Sequence, residues 1–374
     1  MLFACPELLP EELEVLEEVQ KIHDLLRHRV AARPRWSGLL IRQAFARAIQ
    51  GSNTIEGYTM SLDDALDVVE GEEPLEAEEE TSAAVRGYRQ SMTYVMQLSD
   101  DPHFAYHELL IRSLHYMMTS YDLSKTPGRW RPGYIAVRRE DTGRIVYEGP
   151  DADLVPNLVD ELVEWLNRGD RTMSALVRSA MAHLNLVMIH PFRDGNGRMA
   201  RGLQTLVLSR AGILAPEFSS IEEFLGHNTP EYYDVLAEVG HGSWNPDRDA
   251  RPWLRFCLKA HFIQAQTVMR RVRESERVWE LLHEEIDPLQ LPERVLTALF
   301  DAAMGFRVRN VTYRAHDDLS EAVAGRDLKA LVDLDLLVPT GSKRGRSYRA
   351  SDRLREIRAA SRSESPILED PFAA

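Results

Sequence analysis

Cysteine is scarce in this chain: Cys5 and Cys257 are the only two in 374 residues. Two thiols cannot make a disulfide framework, nor a zinc site by themselves, and a reducing cytoplasm is the compartment they favour. No apolar run approaches the ~18 residues that a membrane span needs. The opening Met1-Leu2-Phe3-Ala4-Cys5-Pro6 lacks the basic start and apolar stretch of a signal peptide. Positive charge is in deficit as well. Lys and Arg number 45 against 59 Asp and Glu, a net −14. That argues against nucleic-acid or membrane-surface binding by the chain as a whole, while leaving room for one basic segment. No internal repeat is visible. What is present is an ordinary globular composition, 44% hydrophobic and 28% charged, with length for two or three domains.

The periodicity is mostly helical. Leu13, Leu16, Val19, Ile22 and Leu26 recur at three- and four-residue steps and predict an amphipathic helix over 11–29, whose apolar face would serve core packing or a homodimer. A second helix is expected over 38–50, stopped by Gly51. Residues 63–80 hold ten carboxylates and no basic residue, which reads as a solvated linker or exposed face. Helices are expected over 81–98, 107–120, 153–167, 172–188, 197–210, 230–239 and 252–283. Two β-prone runs, 134–137 and 144–147, flank a turn at Glu140-Asp141-Thr142-Gly143 and predict a hairpin.

The richest stretch is His190-Pro191-Phe192-Arg193-Asp194-Gly195-Asn196-Gly197-Arg198-Met199-Ala200-Arg201. An apolar helix delivers His190 to its end, where Pro191 stops it. The double-glycine turn then bares backbone N–H groups at the start of the next helix, and those groups form an anion nest. Arg198 and Arg201, three apart, share one face of that helix's first turns. Two guanidiniums there oppose the helix dipole, a conflict that a polyphosphate would resolve. Asp194 is a single carboxylate beside the nest, as Mg²⁺ requires when phosphates supply its other ligands. The residues alone therefore suggest a histidine base, a phosphate cradle and a magnesium carboxylate.

This stretch resembles the Fic signature, His-Pro-Phe-x-Asp-Gly-Asn-Gly-Arg-x-x-Arg, at every specified position. The resemblance implies a mainly α fold, a Fic helical core over 91–265 with a β-hairpin flap. It implies transfer of AMP from ATP to a hydroxyl of a target protein. Carried over position by position, His190 is the general base and Asp194 holds Mg²⁺. Gly195, Asn196 and Gly197 cradle the α- and β-phosphates, Arg198 holds the leaving pyrophosphate, and Arg201 orients the γ-phosphate. Tyr134, Ile135, Ala136 and Val137 form the flap that pins the target backbone. Tyr232 and Tyr233 stand where the family often has paired aromatics near the adenine; core tyrosines are the alternative.

Ser52-x-x-x-Glu56-Gly57, within an N-terminal helical region 1–90, resembles the inhibitory motif of Fic proteins, with Glu56 expected in a bidentate pair with Arg201. Glu56 could instead position a water that removes AMP from a modified target. A connecting helix over 266–290 is expected to lead to a winged helix-turn-helix domain over 291–356. That domain carries basic Arg326, Lys329, Lys343, Arg344, Arg346 and Arg349, which leaves open DNA binding or a protein-docking role. A DNA-binding regulator with a Fic sensor is thus the rival reading. A disordered tail is expected over 357–374.

Overall fold

The structure, a computed structural model, describes residues 1–31, 35–138, 143–168, 173–212, 216–342, 345–362 and 370–373. It is mostly helical, as the periodicity predicts. In chain order come α1 (Pro10–Ala31), α2 (Arg35–Ile55), α3 (Leu62–Glu70), α4 (Glu79–Gln97) and α5 (Glu108–Thr119), then the strands β1 (Ala136–Arg138) and β2 (Ile145–Glu148). After them run α6 (Val155–Arg168), α7 (Ala175–Ile189), α8 (Asn196–Arg210), α9 (Pro216–Ser219), α10 (Glu222–His227), α11 (Thr229–Gly240), β3 (Gly242–Ser243) and α12 (Arg251–Ile286). The C-terminal unit is α13 (Val295–Ala303), α14 (Asn310–His316), α15 (Glu321–Asp333), β4 (Leu337–Thr340), β5 (Ser347–Ala350) and α16 (Asp352–Ser361).

The helices α7 and α8 form the central hairpin. Both are buried on most of their circumference, α8 with several polar side chains among the buried ones, and twelve of the fifteen residues of α7 are buried, so neighbours enclose it on all sides. His183 on α7 joins the two helices to α11, bonding Gln204 at 2.7 Å and the Tyr232 hydroxyl at 3.0 Å. The loop between α7 and α8 is therefore anchored on two buried, cross-bonded helices. The hairpin β1–β2 pairs antiparallel, Val137 opposite Tyr147, and β3 adds a short parallel strand beside β2 that the sequence pattern did not predict. The turn residues Glu140, Asp141 and Thr142 lie outside the described residues.

Helix α2 does not stop at Gly51; it continues to Ile55. Gly51 is there for contact. A β-carbon on it would lie 2.5 Å from the Glu222 carbonyl oxygen, and one on Gly226 would lie 2.6 Å from the Gly51 Cα. Backbone packs on backbone here, and helix propensity yields to it.

The acidic stretch also differs from its expected solvated state. Ser61 caps α3 and Gly71 ends it at φ +83°. Asp64 and Asp67 are buried. The side chain of Arg307 bonds both, its backbone N donates to Asp63 Oδ1 at 2.7 Å, Arg309 reaches Asp67 at 3.1 Å, and Arg349 pairs with Asp63. One turn on, Glu70 meets Arg42 of α2 and His316, each at 3.1 Å. The carboxylates of α3 thus hold the C-terminal unit, while residues 78–80 stay exposed.

Helix α12 runs unbroken for 36 residues through the expected boundary at 265/266. The expected tail is corrected in part. Capped by Ser351, α16 extends to Ser361, because Leu354 buries fully and Arg358 pairs with Glu274 at 3.0 Å. Asp370 then meets Lys259 at 3.0 Å.

Candidate active site

Helix α7 ends on His190, which takes the left-handed conformation (φ +51°), a cost of about 1–2 kcal/mol for a residue with a β-carbon. That turn swings the ring out of the helix. Its Nδ1 lies 3.1 Å from the Val187 carbonyl oxygen, which can only accept, so Nδ1 carries the proton and Nε2 keeps its lone pair. Burial pushes the imidazole down to about 4, which keeps it neutral near pH 7.

Arg131 fixes this corner. Its Nε donates to the His190 carbonyl at 2.8 Å, Nη1 to Gly133 at 2.6 Å and Nη2 to Pro150, while its backbone N donates to Pro191 at 2.9 Å. One guanidinium thus joins both ends of the β1–β2 hairpin to the histidine loop. Tyr147 adds a bond from the hairpin to the Met188 carbonyl, 2.7 Å. Of the flap residues, Tyr134 is exposed and donates to Glu148 at 2.6 Å, and Ala136 and Val137 pair with β2.

Asn196 stabilises the loop through its side chain: Oδ1 accepts from the Phe192 N and Nδ2 donates to the Phe192 O, both at 2.9 Å. Its backbone opens α8, preceded by Gly195 at φ +75°. His115 stacks flat on Phe192, ring centroids 3.7 Å apart. It lies 2.9 Å from the Asp194 carbonyl and accepts from the Gly128 N. Asp194 Oδ1 accepts from the Gly195 N at 2.7 Å, and Oδ2 faces Lys125 at 3.1 Å and Arg198 at 4.0 Å.

Arg198 and Arg201 are both buried, their side chains at 0% exposure. Arg201 is held by α2: Nε donates to the Ser52 hydroxyl at 2.7 Å, and Nη2 donates to the Ser52 carbonyl at 2.9 Å and to Glu56 Oε1 at 2.7 Å. The pair with Glu56 is therefore single, and Ser52 supplies the other contacts that a bidentate carboxylate would have made. A β-carbon on Gly197 would fall 2.4 Å from Glu56 Oε1, so the carboxylate lies in the first turn of α8, against the anion nest itself. Arg198 is different. Among the described residues none of its three nitrogens has a hydrogen-bond partner, and the Tyr58 ring lies 5.2 Å away.

The tyrosine pair divides. Tyr232 is fully buried between His183 and Trp253, so it is a core residue under Arg201. Tyr233 alone reaches the surface, and it donates to the Ile55 carbonyl at 3.1 Å. In the C-terminal unit Arg326, Lys329 and Arg346 are exposed, whereas Lys343 and Arg344 lie outside the described residues. Sequence reasoning missed Arg131, His115, Lys125, Tyr58 and Tyr121. The available signal was the Tyr121-to-Gly133 segment, whose Pro, Gly and Arg content marks a structured loop.

Residues 105–208 match the Fic/DOC family. The chain is 25% identical over 300 residues to a protein adenylyltransferase Fic of Nematostella vectensis, covering 76% of this chain and 64% of that protein. It is 36% identical over 128 residues to a protein adenylyltransferase fic-1 of Caenorhabditis elegans, covering 32% and 23%. The chain thus spans under two thirds of the length of these curated relatives. Among solved structures, a Fic family protein from Desulfovibrio desulfuricans G20 shares the fold over 93% of this chain and 98% of that one, with TM-score 0.59 at 24% identity. No described helix is long and apolar enough to cross a membrane.

Proposed function

The chain carries a Fic-family domain at residues 105–208, and from that premise we propose that it is an autoinhibited protein adenylyltransferase. It would move AMP from ATP to a Ser, Thr or Tyr hydroxyl of a target protein, or of itself, and release pyrophosphate. Arg198 carries this reading. A fully buried guanidinium that makes no hydrogen bond among the described residues and has only the Asp194 carboxylate facing it at 4.0 Å is costly, and it stands at a helix N-terminus that favours anions.

In this reading His190 Nε2 takes the proton of the target hydroxyl, whose oxygen attacks the α-phosphorus. The bond to the bridging oxygen breaks, and pyrophosphate leaves against Arg198 and Arg201. The backbone N–H groups of Gly195, Asn196 and Gly197 meet the charge developing on the α-phosphate. Asp194 would hold Mg²⁺, which neutralises phosphate charge when bound. The donor set fits that ion only with nucleotide present, since no group of three or more His, Cys, Asp or Glu able to hold a metal occurs among the described residues. The flap residues Tyr134, Ile135, Ala136 and Val137 would pair with an extended target segment, and Tyr233 is the member of the tyrosine pair able to face the base. A cytoplasmic enzyme fits this substrate.

The deciding experiment uses ATP labelled at the α-phosphorus and, in parallel, at the γ-phosphorus, with lysate as target. The α-label should enter protein and the γ-label should leave as pyrophosphate; γ-label in protein would indicate phosphorylation instead. The same assay gives a pH profile. Burial favours the neutral imidazole, so the rate should hold from pH 8 to 6 and fall only as pH drops toward 4. An acid limb centred at 6.5, the ordinary histidine value, would remove the base role in this form. Release of AMP from a pre-modified target tests the reverse direction, with Glu56 orienting water.

The C-terminal unit, three helices followed by a hairpin that Val308 extends through a bridge to Tyr348, is proposed as a winged helix. Its Arg307, Arg309 and Arg349 already face α3 carboxylates, which favours docking on the core over DNA. Duplex DNA should give no mobility shift at 0.15 M salt; a salt-sensitive shift abolished by neutralising Arg326 and Lys329 would restore the DNA reading.

A further inference from the structure

Lys125 has no part in the scheme above, yet it touches its centre. Its ammonium lies 3.1 Å from Asp194 Oδ2, 2.6 Å from the Tyr58 hydroxyl and 2.8 Å from the Tyr121 hydroxyl. The two hydroxyls bond each other at 2.8 Å, and the ammonium stands 5.3 Å from the Tyr58 ring centroid and 4.7 Å from that of Tyr121. The side chain is 14% exposed. Burial works against its charge, and the bonds to Tyr121, Tyr58 and Asp194 more than offset that. Asp122, its other acid neighbour, stays 4.0 Å away.

Three features of this cluster bear on function. The ammonium covers the carboxylate oxygen that also faces Arg198. Tyr58 follows Glu56 by two residues, so the chain segment that places Glu56 on Arg201 also places a ring beside Arg198 and a hydroxyl on Lys125. The long lysine stem can move its charge several ångströms by rotamer change alone, which a guanidinium fixed like that of Arg131 cannot do.

We infer that Lys125 is a further phosphate-binding residue of this site, resting on Asp194 and Tyr58 until a nucleotide draws it away. The inference relies on the nucleotidyl-transfer reading. In the resting protein the ammonium satisfies Asp194 and competes with a divalent cation there. With nucleotide bound it adds a third positive side chain to Arg198 and Arg201, and it frees Asp194 Oδ2. Phosphate and metal then gain access through the same displacement. Release of Tyr58 also loosens the segment that carries Glu56.

The test measures ATP affinity by calorimetry, with EDTA and with Mg²⁺, for Glu56→Gly and for Glu56→Gly/Lys125→Met, which keeps the stem and removes the charge. Without metal, the Met variant should bind ATP about tenfold more weakly, the size expected for one charge-assisted contact. The strengthening of ATP binding by Mg²⁺ should be larger in the Met variant, because there the ion alone neutralises phosphate charge that Lys125 shares in the parent. Lys125→Arg should restore metal-free binding at least in part. If Lys125 only props up Tyr58 and Asp194, both affinities move by one common factor, and the assignment fails. ATP binding by Glu56→Gly that Lys125→Met leaves unmoved also overturns it, while the transfer reading stands. No ATP binding by Glu56→Gly itself overturns both. Thermal melts of all variants identify any loss of folding, and a Met variant that cannot fold while the Arg variant binds normally would place Lys125 in structure alone and end the proposal.

Discussion

Glu56→Gly should incorporate AMP roughly ten- to hundredfold faster than the wild-type chain, and adding His190→Ala should return incorporation to background. The lower figure follows from one charge-assisted bond, which contributes about 1.5–3 kcal/mol. Glu56 Oε1 holds Arg201 Nη2 at 2.7 Å and lies against Gly197, so under the proposed reaction it would both occupy a phosphate ligand and set a negative charge where phosphate oxygens come. Removing the carboxylate lifts both obstacles. Residue 56 follows the last helical residue of α2, so glycine there leaves the helix intact, and Ser52 still anchors Arg201 through two contacts. Labelled-ATP self-modification, followed over time for the three proteins, measures the effect. Equal rates for wild type and Glu56→Gly would remove autoinhibition from the account. Residual transfer in the His190→Ala protein would remove the base.

Arg307→Ala should destabilise the docked C-terminal unit by about 3–5 kcal/mol, the usual result of removing one partner from a buried ion pair. The Arg307 side chain is 4% exposed, and its partners Asp64 and Asp67 are 1% and 5% exposed. After the change, Arg309 at 3.1 Å is the remaining guanidinium on Asp67. Burial already raises the Asp67 carboxyl above its ordinary value, with Arg307 the first influence acting against that. Without Arg307 the carboxyl should take up its proton at still higher pH. Urea unfolding of Arg307→Ala and of Arg307→Met/Asp64→Asn/Asp67→Asn checks this. The triple variant, with no buried charge left among the three, should recover most of the loss. A loss below about 1 kcal/mol in Arg307→Ala would mean the network is worth no more than surface pairs.

Legibility in the sequence followed chain distance. His190, Asp194, Gly195, Gly197, Arg198 and Arg201 were readable because twelve consecutive residues contain the histidine, the turn and the helix start. The same proximity that builds an anion nest makes it a pattern. Ser52 and Glu56 were readable as a spaced pair, but their partner Arg201 lies 149 and 145 positions away. Only resemblance joined them. Arg131 was invisible as a positioning residue because its carbonyl partners are scattered at Gly133, Pro150 and His190, and a lone arginine beside proline and glycine reads as loop. The acidic run misled for a physical reason. Ten carboxylates without a local cation look solvated, and the cations that pair with the two buried ones, Asp64 and Asp67, stand some 240 residues later, at Arg307 and Arg309. Asn196 shows a subtler gap: its place in the motif suggested phosphate, whereas its amide spends both bonds on Phe192.

The contact between Gly51 and Gly226 has a consequence for heredity. Both positions lack room for a single methyl group, since any β-carbon would meet opposing backbone at about 2.5–2.6 Å. Backbone cannot step aside as a flexible side chain can, so a substitution must shift one helix against the other. The stretch that would shift begins one residue after Gly51 with Ser52, runs to the end of α2 at Ile55 and carries Glu56 directly behind it. Restraint of Arg201 therefore presents a mutational target wider than the ion pair itself, and lineages could lose it through changes that alter no charged residue.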